Sequence, residues 1–226
     1  MEPFELGDTM TRDEKKYGVI LPYDDIKSGL QTFDILNCVY GTEPWNPIHW
    51  IMGAIGHSAM VYRCAATGQL MVYESTQTSR RDKLSGVQLR PMKEWLNYPG
   101  RIYFRRTVFS DLLHRESALR TCDGHIQKYR GTAYPNLKQS RWLWFLINAA
   151  VDLPFRNCLE NPDIDTVMFC TMLIGHVFRY CGMLADEKAE YFNPAEMEPD
   201  DLREDIERFV SFLSSDITVG PEHRLK

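Results

Sequence analysis

A thiol, an imidazole and a carboxylate can together supply a nucleophile, its base and the group that orients the base. This chain places one of each where such a role is conceivable. Cys170 follows the apolar run Val167-Met168-Phe169 and opens a segment with helical apolar spacing, through Leu173, Ile174, Val177, Phe178 and Cys181. The partial positive charge of a helix N-terminus stabilises a thiolate, so a cysteine there can be reactive. Cys181 lies at the buried end of the segment, where a thiol is inert. His57 follows Gly56 at the start of a strand-like run, and Glu74 interrupts the apolar stretch Leu70-Met71-Val72-Tyr73. A carboxylate in such a run is costly to bury unless it is paired.

The elements that must position these residues follow from local pattern. Gly56 to Cys64 and Gln69 to Thr76 read as strands joined by Ala65-Ala66-Thr67-Gly68, a hairpin connection. That loop sets Cys64 opposite Gln69 and Ala59 opposite Glu74, leaving His57 diagonal to Glu74 on one sheet face. His176 shares the helix of Cys170, but the rotation between them is about 240°, so the two side chains point apart. Further strands are expected at Thr32–Tyr40 and about Arg101–Val108, and helices at Ser110–Tyr129, Lys138–Leu153 and Cys170–Cys181. Pro199-Asp200-Asp201 reads as the start of a helix reaching Leu213, and the tip from Val219 as disordered. Plainer roles compete for some of these residues: His57 as a half-buried sheet histidine, and Trp142, Trp144 and Phe145 as core.

Composition narrows the function classes. The chain has 226 residues, 44% apolar and 12% aromatic, enough for one substantial core. A net charge of -5 gives no general electrostatic basis for binding nucleic acid or an anionic membrane. The segment Met1–Lys16 is acidic and lacks the apolar core of a signal peptide, so a cytoplasmic location is expected. The stretch Trp142–Phe155 is broken by Asn148 and Asp152 and falls short of the roughly 20 residues that span a bilayer. Peripheral membrane contact is compatible with this, and no oligomeric state is specified. The 6 cysteines contain no CxxC pair and read as reduced thiols. Cys158, Cys170, His176 and Cys181 match no common zinc spacing, and no metal or cofactor is called for.

The segments Thr32–Leu36, Gly56–Ala59, Tyr73–Ser75, Gly131–Tyr134 and Phe169–Leu173 resemble the circularly permuted branch of the NlpC superfamily of papain-like cysteine enzymes, which includes YiiX-like proteins, a poxvirus group and the lecithin:retinol acyltransferases. Thr32-Phe33-Asp34-Ile35-Leu36 is similar to the family's opening Gly-Asp-Ile-Leu strand. Gly56-His57-Ser58-Ala59 is similar to its Ser-His-Val-Gly strand, and Tyr73-Glu74-Ser75 to its Glu-Ala strand. Phe169-Cys170-Thr171-Met172-Leu173 resembles its Tyr-Cys-Ser-Glu-Leu helix start, and Gly131-Thr132-Ala133-Tyr134 its Gly-x-x-Tyr segment. Thr32-Phe33 stands for the usual glycine, and Thr171-Met172 for the usual Ser-Glu.

The resemblance spans residues 31–202. It implies an α+β, permuted papain-like fold, with an antiparallel sheet or small barrel packed against helices and the nucleophile at a helix N-terminus. It divides the chain into an N-terminal extension (1–30), a catalytic domain (31–215) and a flexible tail (216–226). By the same resemblance Cys170 is the nucleophile, His57 the base, Glu74 the orienting residue and Tyr134 a neighbour of the thiol that stabilises an oxyanion. The implied activity is hydrolysis of an amide or ester bond through an acyl-enzyme, on a peptide, amide or acyl-lipid substrate. Lipid acyl transfer or deacylation, and a catalytically degenerate binding or virulence module, are the competing readings.

Overall fold

The structure is a computed structural model that describes residues 20–39, 56–76, 85–97, 100–134, 168–194, 197, 199–204 and 208–225. The expected helix over 138–153 with its Trp142, Trp144 and Phe145 patch, the loop of Trp45 and His49, and Cys158 lie outside the described residues.

The chain is an α+β fold built on an antiparallel sheet. Its strands are β1 (Ile35–Val39), β2 (His57–Arg63), β3 (Leu70–Thr76), β4 (Gly86–Pro91), β5 (Arg101–Phe109) and β6 (Ile217–Arg224), in the spatial order β4-β3-β2-β1-β5-β6. The described helices are α1 (Tyr23–Ile26), α2 (Met92–Trp95), α3 (Leu112–Tyr129), α4 (Cys170–Tyr180) and α5 (Asp186–Ala189). Successive strand residues face opposite sides, so each strand feeds two cores. Ile35, Met60, Tyr73 and Val87 point to the side covered by α3 and α4. Leu36, Ala59, Val61 and Val72 point to the other, covered by Met92 and Trp95 of α2 with Leu30 and Leu225.

The hairpin register follows the loop. Cys64 N–H donates to Gln69 O, and the ladder runs Arg63↔Leu70, Tyr62↔Met71, Val61↔Val72 and Met60↔Tyr73. Pairing stops there, although β2 begins at His57 and β3 continues to Thr76 against β4. The sheet is therefore open between β2 and β3 at the end that carries His57 and Glu74. Asp111 caps α3 by accepting from the N–H groups of Leu113 and His114, the usual service of an aspartate at that position.

Two expectations about the C-terminal part are corrected. The segment after Pro199 is not the expected helix to Leu213 in its described portions, which form 3-10 turns at Pro199–Leu202 and Val210–Phe212. The carbonyls of Leu202 and Arg203 accept from Arg105, and that of Leu202 also from Asn37, which ties this segment to the sheet. Residues 216–226, read as a flexible tail, include β6, paired to β5 from Tyr103↔Arg224 to Phe109↔Ile217. Ile217 and Leu225 are buried, and Pro221 is tolerated because β6 is an edge strand. Leu21 N–H bonds Arg224 O, and Leu21, Tyr23 and Ile26 pack against the second core, so residues of the expected N-terminal extension join the sheet's cover.

Candidate active site

Cys170 is the first residue of α4 and sits at the opened end of the β2–β3 pair. Ser75 Oγ on β3 donates to Met168 O at 2.6 Å, and Met168 N–H bonds Ala133 O, which fixes the strand-side approach to the helix. Thr171 Oγ1 donates to Met197 O at 2.9 Å and holds the first turn from the other side. Phe169 at the N-cap offers no side-chain acceptor, so the thiol meets the helix's positive end uncontested. The backbone N–H groups of Thr171 and of Ser58 both hydrogen-bond the Cys170 sulfur. The Ser58 donor is free to do so because β3 has parted from β2 at that level.

His57 Nε2–H donates to Glu74 Oε2 at 2.7 Å, with both residues buried. That leaves Nδ1 as the ring nitrogen for the Cys170 thiol, to which His57 is also hydrogen-bonded. The carboxylate is served from further sides: Trp95 Nε1–H donates to Oε2 at 2.9 Å, Gln88 Nε2–H to Oε1 at 3.1 Å, and Arg90 Nε lies 3.7 Å from Oε1.

The electrostatics follow from these contacts. Burial alone would drive the Glu74 carboxyl up, but His57, Trp95 and Arg90 outweigh it and hold it below the usual carboxylate range. Burial disfavours imidazolium, yet the hydrogen bonds and charges of Cys170 and Glu74 raise His57 to about 10. Burial likewise opposes the thiolate, and His57 with the Ser58 and Thr171 N–H groups brings the Cys170 thiol below its ordinary value. The arrangement can hold a thiolate–imidazolium pair, the reactive state of a nucleophilic cysteine.

Tyr134 is half-buried, its ring edge-on to Phe169 at 5.9 Å. Burial, and then the charge of Cys170, push its hydroxyl up, so it stays protonated and within electrostatic reach of the sulfur. Its position depends on a close backbone crossing. Val87 N–H bonds Thr132 O and Gly131 N–H bonds Val87 O. At Gly86 (φ +98) an added Cβ would meet Thr132 O at 2.2 Å, so only glycine fits there.

Four residues around the three expected ones escaped the sequence: Ser58 through its backbone, and Gln88, Arg90 and Trp95 around Glu74. Gly86–Pro91 alternates apolar Val87 and Leu89 with polar Gln88 and Arg90, a strand signature that was available. His176 is turned away from Cys170, as its helical offset implies, and pairs with His125 at 2.8 Å between α3 and α4. Among the described residues no group of three or more His, Cys, Asp or Glu could hold a metal ion, and no helix is long and apolar enough to cross a membrane.

No family model and no curated protein matches the chain. Among solved structures the α+β fold is similar to the crystal structure of the metalloprotein yiiX from Escherichia coli O157:H7. The identity is 14%, over 84% of this chain and 96% of that one, with a TM-score of 0.42.

Proposed function

We propose that the chain is a cysteine-dependent hydrolase of permuted papain-like type, acting on an amide or ester bond through an acyl-enzyme. The observation that carries this is the buried relay Glu74–His57–Cys170, closed at 2.7 Å on the carboxylate side and at a helix N-terminus on the sulfur side. The order His57, Glu74, Cys170 along the chain is the permuted one. The left-handed φ of 79 at Phe33, next to Asp34, is consistent with a position for which the resembled family uses glycine.

In this reading the Cys170 thiolate attacks the carbonyl carbon, and the developing oxyanion is met by the hydroxyl of Tyr134 and by N–H groups at the start of α4. Imidazolium at His57 gives its proton to the leaving nitrogen or oxygen. The neutral ring then takes a proton from water, which hydrolyses the thioester. Glu74 keeps Nε2 protonated throughout, so Nδ1 is always the nitrogen that works. The lowered Cys170 thiol argues against a degenerate binding module, since a spent nucleophile has no need of a stabilised thiolate.

A thiol-directed acyl probe tests the assignment. Labelling is expected at one dominant residue and is lost in Cys170→Ala while remaining in Cys64→Ser, the half-exposed thiol. Undiminished labelling in a folded Cys170→Ala protein sinks it. Tyr134→Phe should lower kcat with little change in KM; an unchanged kcat removes Tyr134 from the oxyanion site.

A further inference from the structure

At the other end of β2, six residues from His57 and so about 20 Å along the strand, the molecule carries a second concavity. It has a volume of about 640 Å³ and is lined by the 28–32 loop, the end of the first hairpin and the half-buried flank of α3. That size lies in the range of small-molecule sites. Three guanidinium groups border it, those of Arg63, Arg106 and Arg115, in a chain whose net charge is -5.

The three arginines divide into one that builds the wall and two that face the space. Arg63 spends its donors on the carbonyls of Lys27, Ser28, Leu30 and Gly68, which ties the loop to the hairpin. Arg106 is aimed by an ion pair from behind: its Nε lies 3.2 Å from Oδ2 of Asp34, which is wholly buried. Asp34 is itself fixed by the N–H groups of Gln31 and Thr107. Among the described residues no hydrogen bond engages Nη1 or Nη2 of Arg106. Arg115 is steadied by one bond, Nη2 to Gln31 Oε1 at 3.0 Å, and its Nε and Nη1 have no partner among the described residues. Among the described residues the one carboxylate on the rim, Asp123, is turned to Tyr62, whose hydroxyl donates to Oδ1 at 2.7 Å.

Guanidinium groups held from behind with planar donors unfilled are suited to a carboxylate or phosphate, which takes two N–H groups of one fork at once. Because their supports are already in place, little side-chain entropy remains to be lost on binding. We propose that this groove is a binding site for a small organic anion, whose carboxylate or phosphate oxygens take the unfilled donors of Arg106 and Arg115. Oδ2 of Asp123, which has no partner among the described residues, would accept from an amine or hydroxyl on the same molecule. The site is separate from Cys170 and stands whether or not the hydrolase reading does.

Calorimetric titration at low ionic strength, with citrate as the carboxylate probe and inorganic phosphate as the phosphate probe, tests it on the full chain. At least one probe should bind at a single site. Its affinity should fall about tenfold in Arg115→Ala, the loss of one charge-assisted hydrogen bond, and stay unchanged in Arg120→Ala, an exposed arginine on the same helix. Failure of both probes to bind below about 10 mM, or equal weakening by the two substitutions, overturns the proposal. Cys64, on the groove's lining, gives a second readout. Its alkylation by anionic iodoacetate, relative to neutral iodoacetamide and corrected by a Cys64→Ser control, should drop in Arg115→Ala. An unchanged ratio counts against the site.

Discussion

His57 and His125 are both buried histidines packed against α4, and the molecule pushes them in opposite directions. His57 is raised to about 10. His125 is lowered to about 3, by burial first and then by the charges of His176 and Lys128. Burial has the same sign in both places, so the partners decide. His57 sits between a thiol and a carboxylate, either of which can carry negative charge. His125 sits between the Tyr73 hydroxyl at 3.2 Å and the His176 ring at 2.8 Å, with the ring of Tyr129 beside it at 4.5 Å between centroids. None of these neighbours offers the negative charge that would hold an imidazolium, and the charges of His176 and Lys128 oppose one. One imidazole is thus held charged by its neighbours, and the other links α3 to α4.

The sharpest way to break this contrast is Glu74→Gln, which keeps the shape and removes the anion. Turnover should fall by about 10⁴-fold, the loss seen when the orienting carboxylate of a Ser-His-Asp triad is neutralised. The alkaline limb of the pH–rate profile, expected near 10 for loss of the His57 proton, should move down. Histidine titration by NMR in the native protein should show one ring charged to about pH 10 and another neutral down to about pH 3. Two ordinary midpoints would erase the comparison.

His125→Phe attacks the other side. It deletes the bonds to the Tyr73 hydroxyl and to His176 Nδ1 and should cost about 1–3 kcal/mol in denaturant unfolding, with turnover retained. It should also flatten one pH dependence. Below about 6.5 the unfolded chain takes a proton at His125 that the folded chain refuses until about 3, so wild-type stability falls as pH drops through that window. The difference between wild type and variant should shrink accordingly; a gap that stays constant from pH 7.5 to 4 contradicts the assignment. The smallest effect is expected from Trp95→Phe, which preserves the packing against His57 and deletes one donor to Glu74. About a tenfold loss of kcat with unchanged KM is expected, carried by a less firmly held carboxylate.

Those residues also mark what a reader of the sequence could and could not see. Glu74 was legible because a charge in an apolar strand demands a partner, and the four-residue loop fixed which strand residue could answer. The lowered Cys170 thiol was legible only in part. The helix start was visible in the apolar spacing, but the Ser58 N–H depends on β2 and β3 parting beyond Met60↔Tyr73, which no local pattern encodes. Gln88 and Arg90 drew no reading from the sequence, since polar residues alternating with Val87 and Leu89 do not say which face is buried, and both turn inward to Glu74. β6 was missed for a similar reason. Its polar residues Glu222, His223 and Arg224 suggest solvent, yet Glu222 is buried against Asn37 and the backbone is claimed by β5.

The parted strands make the Ser58 amide a reporter on the sulfur. In most of a sheet an amide proton is shielded from solvent by a carbonyl that nothing in the reaction alters. Here its acceptor is the Cys170 sulfur, and the acceptor changes character when that sulfur is acylated or alkylated. Isotope exchange at this single amide should therefore accelerate on modification of Cys170, while the amide of Val61, bonded to Asp34 O at 2.8 Å on the same strand, keeps its slow rate and serves as the internal clock.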